Sequence, residues 1–290
     1  MKTRRFLSRL HGVALALKFP MTINISQIEL GSVVPGAVPL APGEKGVNET
    51  FLGHIDAPSG RHKAYIKVIS GKQLVNELVA TIVGRALNLP IPHGYLLQVR
   101  PEDLPESQAL QQHGAEALVF GSRALNHPTL ARRFQGDPQG VEAWLRGNFK
   151  RWDEAVIFDD WIANEDRHSG NLLVGGIEQV WLIDHGHCFT GPNWQATQLQ
   201  VDQTYVNQMA NVYMPSLTLP QRVALKDKAG AISQLLAAVD PELAMTSCFA
   251  GSLLSLDDLD ALSCFLRDRV PHIVNIISNR VGIPSLGGQP

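Results

Sequence analysis

The sequence predicts an α+β fold, with a small β-rich N-terminal part followed by a larger, mainly α-helical C-terminal part. Three observations carry that expectation. Thr50 to Ile55 and Ala64 to Ile69 are strand-like runs flanking Pro58-Ser59-Gly60, which reads as a hairpin. Leu74, Val75, Leu78, Val79, Ile82 and Leu87 then recur at near-helical spacing and set one buried face of a helix. From Val141 onward, Trp144, Leu145, Phe149, Trp152, Val156, Ile157 and Trp161 fit helices. Pro220 to Val239, Leu256 to Arg269 and Val270 to Val281 continue the pattern. Of the 290 residues, 44% are hydrophobic and 18% charged, enough apolar surface for a sizeable core and too much for wholesale disorder.

In order along the chain, residues 1–20 read as a disordered or mis-annotated extension. Met1 to Arg9 is basic and acid-free, the apolar run Val13 to Leu17 is short for a secretory core, and Lys18 interrupts it, so Met21 is the expected functional start. Residues 21–120 form the expected N-lobe. Thr22 to Leu40 supplies short strands or an extended arm, Gly94 to Val99 a strand, and Ala117 to Ser122 a strand running into a joint; Pro101 to Gly114 reads as a loop or insertion. The first helix stops near Asn88-Leu89-Pro90, because proline disfavours helical geometry in the residue before it. Residues 121–285 form the expected C-lobe and 286–290 a tail.

One constellation carries chemistry. Asp166-Arg167-His168-Ser169-Gly170-Asn171 places a carboxylate and an amide five positions apart, and Ile183-Asp184-His185-Gly186 adds a second carboxylate. Between them, Leu172 to Val174 and Val180 to Ile183 read as two short strands around Gly175-Gly176. Asp, four residues, Asn, hairpin and Asp-x-Gly is the order ATP-dependent phosphoryl transfer uses. One Asp orients the attacking hydroxyl, while the Asn and the second Asp hold the Mg2+ that bridges the phosphates.

Upstream partners exist in the required order. Ala64 to Ile69 is apolar except for Lys67, a cation planted in a strand, and Glu77 on the following helix is a candidate partner that would keep it charged. A solvated helix face explains Glu77 equally well. The candidate phosphate loop is Gly46 to Gly53, with Thr50 and Phe51 as cofactor-binding positions. An interlobe hinge is expected at Phe120 and Gly121, whose backbone groups would meet adenine; a plain strand and turn fits as well.

The segment Phe158 to Leu173 resembles the catalytic segment of bacterial HipA-like kinases. Asp-Arg-His-x-x-Asn followed by Ile-Asp-x-Gly-His is also similar to phosphatidylinositol 3/4-kinases. The resemblance runs from about Gly46 to Phe189 and implies a bilobal protein-kinase-like fold using ATP and Mg2+. Carried over by position, Lys67 is the phosphate-binding lysine, Asp166 the catalytic aspartate, and Asn171 and Asp184 the metal ligands. The departures are clear: no His-Arg precedes Asp166, there is no Gly-x-Gly-x-x-Gly, Asp184-His185-Gly186 stands at the Asp-Phe-Gly position, and no Ala-Pro-Glu follows.

His168 is expected to pack in the catalytic loop, bonding a backbone carbonyl or Asp184. Two other classes compete: a hydrolase metal site built from Asp166, His168, Asp184, His185 and His187, and a nucleotide-binding adaptor without turnover. The HipA-like resemblance implies a protein serine or threonine acceptor, in trans or in the chain itself. The second resemblance implies a lipid headgroup, but Thr190 to Gln195 is uncharged and offers no inositol-phosphate site. The 25 basic and 27 acidic residues give no general attraction to nucleic acid. Cys188, Cys248 and Cys264 show no metal or disulfide spacing and suit a reducing cytoplasm, and no run reaches transmembrane length.

Overall fold

The computed structural model describes residues 23–41, 47–135, 137–176 and 178–283. The expected N-terminal extension, the C-terminal tail and Gly46 of the candidate phosphate loop lie outside them. The N-terminal part is one sheet of β1 (Glu29–Val33), β2 (Val38–Pro39), β3 (Thr50–Ala57), β4 (Gly60–Lys67), β5 (Gly94–Val99) and β6 (Ala117–Arg123). The strand order is β1-β5-β6-β4-β3-β2, and β1 pairs with β3 as well, so five strands close into a ring. Closure leaves no long open edge for another chain to pair with. Alternate residues fill the interior: Phe51 and Ile55 from β3, Ala64 and Ile66 from β4, Tyr95, Leu97 and Val99 from β5, and Val119 from β6.

The predicted hairpin forms, but β4 begins at Gly60 and ends at Lys67 rather than Ile69. Register places Thr50 opposite Lys67 and Phe51 opposite Ile66. The insertion is partly ordered, with a 3-10 turn at Pro101–Asp103 and a short helix, α2, at Gln108–His113.

Helix α1 (Gly71–Ala86) departs from its pattern. Its apolar spacing predicts one buried face, yet all eleven residues from Leu74 to Gly84 are buried, Asn76, Glu77 and Thr81 included. The helix lies between the sheet and the helical part and touches β5, β6 and α8 (Pro241–Ser247). A main core runs from α1 residues such as Leu78 and Val83 into Phe158, Trp161, Leu266 and Ile277. At Gly84 an added Cβ would lie 2.3 Å from the Ile91 Cδ1 and 3.0 Å from the Phe158 ring, so a side chain here would have to displace both.

The C-terminal part is mainly helical: α3 (Leu130–Arg133), α4 (Pro138–Asn148), α5 (Trp152–Trp161), α6 (Gln208–Tyr213), α7 (Leu219–Leu236), α8, α9 (Leu256–Arg269) and α10 (Ile273–Val281). Helices α6 and α8 carry no clear apolar periodicity and escape the sequence reading; both are under two turns long. Helix α5 packs on α7 and α10, and the indole of Trp161 donates to the Leu266 carbonyl at 2.9 Å. Arg269, wholly buried, donates to the carbonyls of Asp160, Gln200, Val201 and Gln203, which replace its hydration. The predicted second hairpin is present as β7 (Leu172–Val174) and β8 (Val180–Leu182). All three cysteines are free thiols, and no helix among the described residues is long and apolar enough to cross a membrane.

Candidate active site

Lys67 is the last residue of β4, pointing out of the sheet towards α1. Its Nζ lies 2.6 Å from Glu77 Oε1 and 2.7 Å from Asp184 Oδ1. Three residues separated by up to 117 positions thus meet at one ammonium. The partnership settles Glu77, which is 1% exposed and not on a solvated face. Burial alone would lower the lysine pKa, but Glu77 and then Asp184 outweigh it and hold the ammonium above its ordinary range. Burial would likewise raise Glu77, yet Lys67 and then His185 bring its carboxyl well below the usual range. The second Glu77 oxygen accepts the backbone N–H of His185 at 2.9 Å, so one carboxylate fixes both the lysine and the backbone next to Asp184.

Asp184 has φ +59°, a left-handed conformation an aspartate tolerates better than a branched residue. Strain of this kind persists where surroundings over-determine the backbone. Here Glu77 holds the His185 N–H and Arg167 the Ile183 carbonyl on either side, and the chain just beyond is held by Asn76, one the sequence reading missed. Its amide nitrogen lies 3.0 Å from the Gly186 carbonyl, 2.9 Å from that of Cys188 and 3.0 Å from that of Gly191, while its oxygen accepts the Trp194 indole N–H at 3.0 Å. Lys72 adds a bond to the Trp194 carbonyl at 2.8 Å. An uncompensated Asn on an apolar helix stripe, one residue before Glu77, is the signal that could have found it.

The catalytic segment is tied from below. Arg167, wholly buried, pairs with Asp159 at 3.0 Å and donates to the carbonyls of Asn171 (3.2 Å) and Ile183. Asp159 also accepts from Asn164 at 2.8 Å. The N–H of Ile183 donates to the Asn171 carbonyl at 3.1 Å, so the Asn171 and Asp184 segments lie side by side. The Asn171 amide nitrogen donates to the Asp166 carbonyl at 2.7 Å, which turns its oxygen into the free acceptor of that side chain. Asp166 and Asp184 are each about one-third exposed and open to solvent. His168 binds neither a carbonyl nor Asp184: its Nδ1 accepts from the Gly170 N–H at 2.9 Å, and its Nε2 stands 4.0 Å from Asp166 Oδ2.

Other expected positions are placed differently. Thr50 faces the same side of the sheet as Lys67, but Phe51 points the opposite way, 2% exposed in the ring interior, and its backbone lies in the ladder between β2 and β4. Thr50 to Gly53 is strand, so the described residues leave 47–49 as the turn before it. Phe120 and Gly121 sit mid-strand in β6, paired to β4 on one side and β5 on the other, so the ladder takes their backbone groups. The chain leaves the sheet only after Arg123. His185 is buried against Glu77 and the Phe158 ring, turned away from the solvent side of Asp184. Among the described residues no three or more His, Cys, Asp or Glu side chains group as a metal-binding cluster.

With that geometry in place, the family model for a HipA-like kinase matches residues 61–229, more than half of the chain. The chain belongs to the HipA-like kinases. It is therefore a phosphotransferase, and kinases of this kind use ATP. The match begins in β4 and runs through most of α7, some forty residues beyond the Phe189 limit expected from motifs alone. Among solved structures the HipA-like kinase is similar to the Helicobacter pylori proinflammatory kinase CtkA, at 13% identity and a TM-score of 0.49, covering 87% of this chain and 98% of that one. No curated protein matches.

Proposed function

We propose that this HipA-like kinase is an ATP- and Mg2+-dependent kinase that phosphorylates a protein serine or threonine, with a bilobal arrangement whose joint follows Arg123. The observation that carries the reading is the Lys67 ammonium held between Glu77 and Asp184 at 2.6 and 2.7 Å. A lysine fixed this way is aimed at phosphate, and Asp184 retains a second oxygen for a cation.

The residues present fit a nucleotide and its metal. The Asn171 amide oxygen and the Asp184 carboxylate offer two oxygen donors on adjacent segments. Two protein donors suit Mg2+, which keeps several waters and takes its remaining ligands from phosphates. When bound, the cation neutralises charge developing on the transferred phosphoryl group. Lys67 orients the phosphates, Glu77 holds Lys67, Arg167 holds Asn171 beside Asp184, and Asp166 orients the acceptor hydroxyl and takes its proton. Rate then comes from positioning and charge complementarity. The uncharged stretch Thr190 to Gln195 favours a polypeptide over an inositol phosphate headgroup.

Incubation with γ-labelled ATP and magnesium, followed by separation of protein, lipid and free phosphate, tests the reading. Label is expected on protein serine or threonine and not on lipid. Label on phosphatidylinositol would replace the acceptor class, and ATP binding with no turnover would leave the adaptor alternative.

A further inference from the structure

The backbone of Asp166 is pinned at both polar groups. Its N–H donates to Asn164 Oδ1 at 3.2 Å and its carbonyl accepts the Asn171 amide at 2.7 Å. What remains free is rotation of the carboxylate. His168 Nε2, at 4.0 Å from Oδ2, is too far for a hydrogen bond. Gln208 is nearer: its Nε2 lies 3.4 Å from Asp166 Oδ1 and 3.0 Å from the Glu165 carbonyl, which uses both amide hydrogens. Gln208 opens α6, and the preceding residue fixes that helix. Asn207, 1% exposed, accepts the Ala210 N–H at 2.9 Å and donates to the Val156 carbonyl of α5 at 3.2 Å. A rigid path therefore runs from α5 through Asn207 and Gln208 to the Asp166 carboxylate.

We infer that Gln208 is a positioning residue for Asp166, holding Oδ1 so that Oδ2 faces the acceptor. The inference rests on the proposed role of Asp166. In that step the acceptor hydroxyl gives its proton to Oδ2, its oxygen bonds to the γ-phosphorus, the bond from that phosphorus to the β–γ bridging oxygen breaks, and ADP leaves. A carboxylate that rotates freely spends less time aligned, which lowers turnover without weakening nucleotide binding.

The test measures ADP release from ATP and magnesium, with dephosphorylated casein as acceptor, in the full chain. Gln208→Met keeps the shape and removes the donor; Gln208→Glu replaces the donor with a repelling carboxylate; Gln208→Lys restores a donor. Losing this long contact to a charged group predicts a kcat lower by about tenfold in the Met variant. The Glu variant should fall at least as far and the Lys variant recover part of the loss, all with the KM for ATP and the melting temperature close to wild type. A merely structural role would move melting temperature and not rank the variants by donor. Asp166→Asn is run alongside. Wild-type turnover in Asp166→Asn would overturn the role of Asp166 itself. An inactive Asp166→Asn beside fully active Met and Glu variants would overturn only the role of Gln208.

Discussion

At the scale of single residues, three charged side chains share one site and are not interchangeable. Asp184→Ala removes a proposed metal donor and a partner of Lys67, and metal-dependent ATP turnover is expected to disappear. Asp166→Asn keeps shape and nucleotide affinity but removes the proposed base, so turnover should drop by roughly two to four powers of ten. Steady-state kinetics with nucleotide binding measured in parallel checks both. Glu77 acts on stability as well. Its folded-state pKa lies below its unfolded one, so on acidification the unfolded chain binds the extra proton. The stability it supplies is complete above the usual value of 4.5 and is lost as pH falls below that. Glu77→Gln should cost about 3 kcal/mol at neutral pH by leaving buried charge less compensated. Urea titrations from pH 7 to pH 3 should show a flatter acid slope for the variant; an unchanged slope would contradict the assignment.

At the scale of elements, α1 matters most, because it grips both the lysine strand and the chain after Asp184. Its position depends on the close approach at Gly84. Gly84→Val would push side-chain atoms into Ile91 and Phe158 and is expected to destabilise by about 2 kcal/mol. Gly230, inside α7, has nothing within 4 Å of an added Cβ. Gly230→Ala should instead stabilise by about 0.5–1 kcal/mol through helix propensity. Denaturant midpoints of the two variants measure the contrast. If both moved in the same direction, the packing described around α1 would be in error.

At the scale of the whole molecule, the site is assembled from the closed sheet, α1, the catalytic segment and the hairpin that follows. Anything that bridges these parts should stabilise the fold by mass action. ATP with magnesium at a hundredfold excess over its Kd is expected to add about 2.7 kcal/mol. For a chain of this size that is a rise of about 2–4 °C in Tm per kcal/mol. The rise should vanish in Asp184→Ala and shrink when EDTA removes the metal. A thermal-shift series with and without EDTA reads this directly.

The order of the candidate site was legible in sequence because Asp166, Asn171 and Asp184 lie on short contiguous segments, where spacing alone constrains geometry. Lys67 stood out as the one cation in the apolar run Ala64 to Ile69, and the long helices α7 and α9 announced themselves by periodicity. Other features had no local signal. A strand and a hinge look alike until pairing partners are known, and only pairing puts Phe120 and Gly121 mid-strand. Phe51 faces inward only because register sets it opposite Ile66. Short helices such as α6 hold too few turns to show a period. The sequence by itself determined which residue types the candidate site has and in what order. Only the tertiary structure decided which of them meet, that α1 is buried on every side, and that Asn76 and Gln208 support the site, because burial and long-range hydrogen bonding are properties of the packed chain and not of any one segment.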